Sequence, residues 1–153
     1  MSFRDRVVVF LATGFYTGNI PKAPGTFGTL PGLCLCFFLA RLPWPISILL
    51  IFILIAVAVW LAGQAEKVIG QKDPGCIVID EIAGMTVTLA ALPFTLYTAI
   101  AGFVLFRFFD IVKPAPIKSI DRRLHGGIGI VLDDVIAGIF ANIILRVGIL
   151  IFK

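Results

Sequence analysis

The stretch WPISILLIFILIAVAVWLA, residues 44–62, contains no charged side chain. A hydrocarbon core of about 30 Å is crossed by a helix of about 20 apolar residues, so this run has the length of one transmembrane span. Its neighbours extend the pattern. TLPGLCLCFFLA (29–40), IAGMTVTLAAL (82–92), FTLYTAIAGFVLF (94–106) and GIVLDDVIAGIFANIILRVGILIF (129–152) are also apolar, though shorter or interrupted by polar residues. Spans this short must thin the bilayer, stand with little tilt, or fail to cross it fully.

The whole chain agrees with that reading. Of 153 residues, 59% are hydrophobic and 14% charged, well under the roughly 25% charged residues of an ordinary soluble domain. The expected class is a polytopic membrane protein. Pro43 and Pro45 separate the first two runs and Pro93 separates the third from the fourth, because a residue before proline is driven out of helical geometry. Both breaks are expected to be tight helical hairpins. FRDRVVVFLATGFY (3–16) has too few apolar residues to span and lacks a small-residue cleavage site, so it is expected to be an interfacial or packed helix. Neither a repeat nor a low-complexity segment divides the chain, and residues 1–153 form one expected domain. Cys34, Cys36 and Cys76 have no metal-ligand spacing and are expected to act as small hydrophobes.

Charge placement orients the spans. Ten of the 13 Lys and Arg residues (Arg4, Arg6, Lys22, Lys67, Lys72, Arg107, Lys113, Lys118, Arg122 and Arg123) fall on connections that alternate to one side, and the positive-inside rule makes that side cytoplasmic. Only Arg41, Arg146 and Lys153 fall elsewhere. Four of the nine acidic residues, Asp5, Glu66, Asp73 and Asp121, lie in polar surroundings and need no special account.

The other five do. Asp80 and Glu81 open the third run, Asp110 closes the fourth, and Asp133 and Asp134 lie about a turn into the fifth, all expected at the cytoplasmic end. A carboxylate at membrane depth is costly unless it is paired or faces a polar cavity. Arg107, one turn from Asp110, can pair with that residue but not with five carboxylates. Crowded acids stay ionised beside a cation, and hard oxygen ligands suit Mg²⁺, Mn²⁺ or Ca²⁺.

KPAPIKSIDRRLHGG (113–127) brings basic side chains and a helix start to the same end, and NIPKAPGTFGT (19–29) forms a similar Gly/Pro-rich turn before the first span. Helix N-termini favour anions, so cation, basic loop and helix start together point to a phosphate site. His125 could be a plain hydrogen-bonding residue, a general acid or a phosphate ligand.

Together IVIDEIAGM, FRFFDIVKPAPI and DRRLHGGIGIVLDDVIAG, with PKAPGTFGTLPG before them, resemble the phosphatidylglycerophosphatase A family over about Pro21 to Ala141. The resemblance implies an all-α domain, and the chain's own hydropathy makes the expected fold a polytopic membrane helical bundle. The resemblance also implies a Mg²⁺-dependent phosphatase that hydrolyses the phospholipid phosphatidylglycerophosphate at the cytoplasmic face of a bacterial inner membrane. No nucleic-acid partner is expected.

Within that frame Asp80, Glu81, Asp133 and Asp134 are expected to hold Mg²⁺, which would polarise phosphoryl oxygens and acidify an attacking water. Asp110, His125 and Asp134 are the candidate catalytic groups, with Asp110 a further ligand or the base. Lys22, Thr26, Arg107, Lys113, Arg122 and His125 are expected to bind the phosphorylated head group. The competing class is a cation- or proton-coupled transporter, but transporter sites lie near the bilayer midplane and tend to come from repeated halves. A head-group transferase of the CDP-alcohol type would need D-x-x-D-G-x-x-A-R, which is absent.

Overall fold

A computed structural model describes residues 1–115, 117–118 and 124–151. All regular structure among the described residues is helical: α1 (Phe3–Ala12), a 3-10 turn (Thr17–Asn19), α2 (Pro24–Leu39), α3 (Trp44–Ile69), α4 (Ile79–Thr88), α5 (Leu96–Val112) and α6 (Gly126–Ile151).

The helix ends follow local chemistry. Ser2 and Asp5 form a reciprocal capping box that starts α1, with the Ser2 N–H donating to Asp5 at 2.8 Å and the Asp5 N–H donating to Ser2 Oγ at 3.2 Å. Thr95 and Thr98 do the same for α5. Pro24 and Pro45 sit in the first turns of α2 and α3, where a missing N–H is harmless. Gly70 ends α3 in the left-handed conformation at φ 73°. The helices break at Ala40–Pro43, between α2 and α3, and at Leu89–Thr95, between α4 and α5, where the prolines predict; α4 and α5 pack on each other, whereas α2 and α3 do not close into the expected tight hairpin.

At the end that carries the acidic residues the helices extend beyond the apolar runs, whereas at the other end α4 stops at Thr88 and α5 starts at Leu96, inside theirs. α4 begins at Ile79 rather than Ile82, which puts Asp80 and Glu81 in its first turn. α5 runs to Val112 and carries Arg107 and Asp110 inside it. α6 begins at Gly126, so Asp133 and Asp134 lie two turns into the helix rather than one. Hydropathy marks the apolar stretch of a helix and misses polar turns that continue the same backbone.

α3 and α6 are long and apolar enough to cross a membrane; α2, α4 and α5 fall short of about 20 residues. The short α4 lies at the centre, packed against α2, α3, α5 and α6, while α1 packs on α3 through buried Val8 and Ala12. The Val78 N–H donates to the Ala12 carbonyl at 2.9 Å, tying the start of α4 to the end of α1.

Glycines allow the closest approaches. A Cβ added at Gly138 of α6 would lie 2.4 Å from the Gly84 carbonyl oxygen of α4, and one at Gly127 would lie 1.9 Å from the Val59 carbonyl oxygen of α3. Helices that associate in lipid use small residues in this way, because apolar surface alone gives them little preference for each other over the acyl chains. At the opposite end from the acidic residues, the Asn142 amide donates to the carbonyls of Val87, Thr88 and Ala90, closing the end of α4. The Arg146 guanidinium adds a bond to the Ala90 carbonyl at 2.9 Å.

Candidate active site

Three helices deliver the site. The first turn of α4 contributes Asp80 and Glu81, the last turns of α5 contribute Arg107 and Asp110, and the third turn of α6 contributes Asp133 and Asp134. Asp80, Glu81 and Asp134 each offer a carboxylate oxygen to a group whose ligand atoms lie within 4.8 Å of one another. Asp80 Oδ1, Glu81 Oε2 and Asp134 Oδ2 are buried and accept no hydrogen bond. Buried carboxylate oxygens this crowded and unbonded are costly unless a cation compensates them. Three hard oxygen donors fit Mg²⁺, whose remaining positions are commonly filled by water and substrate phosphate.

Asp133 stands outside that group and accepts from Lys113 Nζ at 2.5 Å. Neighbouring positions on a helix point about 100° apart, so the two aspartates serve different partners. Lys113 reaches Asp133 from the end of α5, where a left-handed backbone (φ 44°) turns the chain out of the helix before Pro114.

Arg107 is the hinge between the acidic elements. Its guanidinium pairs with Asp110 one turn along α5 and lies 3.6 Å from Glu81 on α4. Asp110 therefore has the basic neighbour that its spacing predicts, and it is not one of the three clustered carboxylates.

Against this pair lies the start of α2. A Cβ added at Gly25 would be 2.1 Å from Glu81 Oε1 and 3.0 Å from both terminal nitrogens of Arg107. The Gly/Pro-rich turn before α2 thus reaches the carboxylate cluster through the Gly25 backbone. Sequence reasoning singled out Lys22 and Thr26 in that turn and missed Gly25, whose signal was only its place after Pro24. Thr26 lies in the same first turn as Gly25, and Lys22 is exposed just before the helix.

His125 is placed elsewhere. It is exposed and lines a recess with Glu66, Lys72, Asp73 and the first turns of α6. Gly129 and Ile130 in that lining precede Asp133 and Asp134 by one turn, so the recess lies on the helix-start side of the carboxylates. Arg122 lies outside the described residues.

Comparison with known proteins follows the same residues. The family model for Phosphatidylglycerophosphatase A matches residues 10–149. Phosphatidylglycerophosphatase A of Escherichia coli (strain K12) is 42% identical over 140 residues, covering 90% of this chain and 81% of the relative. The protein of that name from Haemophilus influenzae is 43% identical over 138 residues, covering 88% and 84%. A Bacteroides thetaiotaomicron relative, provisionally named a phosphatidylinositol-3-phosphatase, is 36% identical over 149 residues and 92% of each chain. No solved structure matches.

Proposed function

The chain belongs to the phosphatidylglycerophosphatase A family, and we propose on that premise that it hydrolyses the phosphomonoester of phosphatidylglycerophosphate with Mg²⁺ held by Asp80, Glu81 and Asp134. The observation that carries the metal reading is the set of buried, unbonded oxygens on these three carboxylates.

In the reaction, water adds to phosphorus and the bond from phosphorus to the glycerol oxygen breaks. Phosphate leaves, and the glycerol oxygen of phosphatidylglycerol gains a proton. Mg²⁺ would supply polarisation of the phosphoryl oxygens and acidification of the water.

The rest of the work falls to side chains. Arg107 neutralises charge on the phosphoryl oxygens, and its ion pairs to Asp110 and Glu81 hold it in place before substrate arrives. Lys113 adds a second positive charge, positioned by Asp133. Asp110, occupied by Arg107, serves as a positioning residue in this scheme rather than as the base. His125, with Lys72, is assigned to the outer part of the head group, in a recess whose lining on α6 includes Gly129 and Ile130, one helical turn before Asp133 and Asp134. Lys22 and Thr26, at the entrance to α2, contact the same head group.

The membrane reading rests on α3 and α6, with the shorter helices filling the bundle between them. Mounting the acidic residues at one end suits a substrate whose phosphate lies at the water boundary and whose chains lie in lipid. It does not suit a transport site, which belongs near the midplane.

Purified protein in detergent micelles should release inorganic phosphate from phosphatidylglycerophosphate with Mg²⁺, stop when the cation is chelated, and recover when it is restored. Undiminished turnover after exhaustive chelation would remove the metal role. A hydroxylamine-sensitive phosphoenzyme in acid-quenched reactions would replace direct water attack by an aspartyl-phosphate route.

A further inference from the structure

A long apolar groove runs between α2 and α3 on one side of the bundle, with a volume of about 780 Å³. Resting on the phosphatase reading above, we infer that this groove seats one fatty acyl chain of the phospholipid substrate and thereby holds the head group at the carboxylate cluster.

The groove begins where the site ends. Ile79 and Ile82, which line it, flank Asp80 and Glu81 in sequence on the first turn of α4. Consecutive helical residues point to different sides, so one turn of α4 serves the acids inward and the groove outward. On α2, Gly25 meets Glu81 and Arg107, and Phe27, two residues later, is the first residue of that helix to line the groove. A lipid phosphate beside Arg107 therefore has its glycerol at the head of an apolar channel.

The direction and length also fit. Phe27, Leu30, Cys34 and Phe38 form one face of α2 at helical spacing, and Leu61, Val57 and Leu54 run antiparallel to them on α3. From Phe27 to Phe38 the helix rises about 16 Å at roughly 1.5 Å per residue. That is about half of a hydrocarbon core of roughly 30 Å, the depth occupied by the chains of one leaflet.

The lining asks for nothing polar. The Thr17 hydroxyl, one of its few polar groups, already donates to the Gly14 carbonyl at 2.8 Å. A hydrocarbon chain is the occupant whose chemistry matches this wall along its whole length.

The test compares two substrates that share a head group. Full-length protein, Cys34→Trp and Leu30→Trp are assayed in mixed micelles with dipalmitoyl phosphatidylglycerophosphate and with its deacylated, water-soluble counterpart. The groove variants should lose about tenfold or more in kcat/KM on the lipid and less than about twofold on the deacylated compound, because only the lipid loses buried methylenes. Leu150→Trp, at an exposed position near the end of α6, should alter neither. Equal losses on both substrates, or none on either, would overturn the assignment.

A second measurement needs no variant. Phosphatidylglycerophosphate carrying a diazirine near the end of one chain should crosslink wild-type protein within residues 27–38 and 54–61. Crosslinks spread over α5 and α6, or equal yield from phosphatidylethanolamine with the same chain, would also overturn it. Groove-specific crosslinking in protein that releases no phosphate would sink the phosphatase reading and leave the groove standing, whereas phosphate release without that crosslinking would sink the groove alone.

Discussion

Asp133 and Asp134 are adjacent in an apolar helix, yet their surroundings assign them different work. Asp134 joins Asp80 and Glu81, while Asp133 accepts from Lys113. In the proposed metal site Asp134 is a ligand, so Asp134→Asn should abolish saturable Mn²⁺ binding, followed by electron paramagnetic resonance, and reduce phosphate release by about 100-fold or more. Asp133→Asn should keep Mn²⁺ binding and lose about tenfold in activity, the scale of a displaced supporting contact. Equal loss of Mn²⁺ binding in both variants would put the two aspartates in one ligand set. Gly25 gives a second contrast. A methyl group there presses on the mobile end of Glu81 rather than on backbone, and alanine suits a helix better than glycine. Gly25→Ala should therefore lower activity while leaving the thermal unfolding midpoint unchanged or slightly raised; a large fall in that midpoint would show that the glycine is needed for packing instead.

Elements carry these residues only if the helices meet at the right distance. α4 and α6 touch through Gly84 and Gly138, and the same two helices bring Asp80 and Glu81 to Asp134. A Cβ at Gly138 meets a backbone oxygen, which cannot swing aside, so Gly138→Val should push the helices apart. We expect a loss of about 1–3 kcal/mol in stability, the usual cost of overpacking, together with weaker Mn²⁺ binding. Denaturant unfolding in micelles and a Mn²⁺ titration would show this, and wild-type values in both would contradict it. The sequence announced where the helices break, because proline acts on its own neighbours, but not that α2 and α3 would stay apart rather than pack as a tight hairpin. It did not announce what the glycines do. His125-Gly126-Gly127 suggested a phosphate loop, yet Gly127 is where α6 crosses the backbone of α3, and no local pattern reveals a partner 64 or more residues away. The division of labour between Asp133 and Asp134 was hidden for the same reason, since it depends on how α6 is rotated against α4 and α5.

At the scale of the whole molecule, composition and charge were the most legible signals, because both are properties of the chain before it folds. Five carboxylates were expected at one end, and the structure brings three together there, with Asp110 held through Arg107 and Asp133 through Lys113. The expectation that this end faces the cytoplasm comes from charge placement and is open to direct test. In the sequence, ten of 13 Lys and Arg residues fall on the connections expected on the side of the acidic residues, and the positive-inside rule leads us to expect that side in the cytoplasm. The structure supplies suitable reporters. Gly75 lies exposed between α3 and α4 on the cluster side with open space around it, and Pro43 and Pro93 mark the two opposite connections. In protein whose native cysteines are replaced by alanine, Gly75→Cys should resist an impermeant maleimide in intact cells and react after permeabilisation. Pro43→Cys or Pro93→Cys should react from outside without permeabilisation. Phosphate release is measured on each variant, so that only correctly assembled protein is scored. Reaction of Gly75→Cys from outside in an active variant would invert the molecule and place the carboxylates, Arg107 and the head of the acyl groove at the outer face.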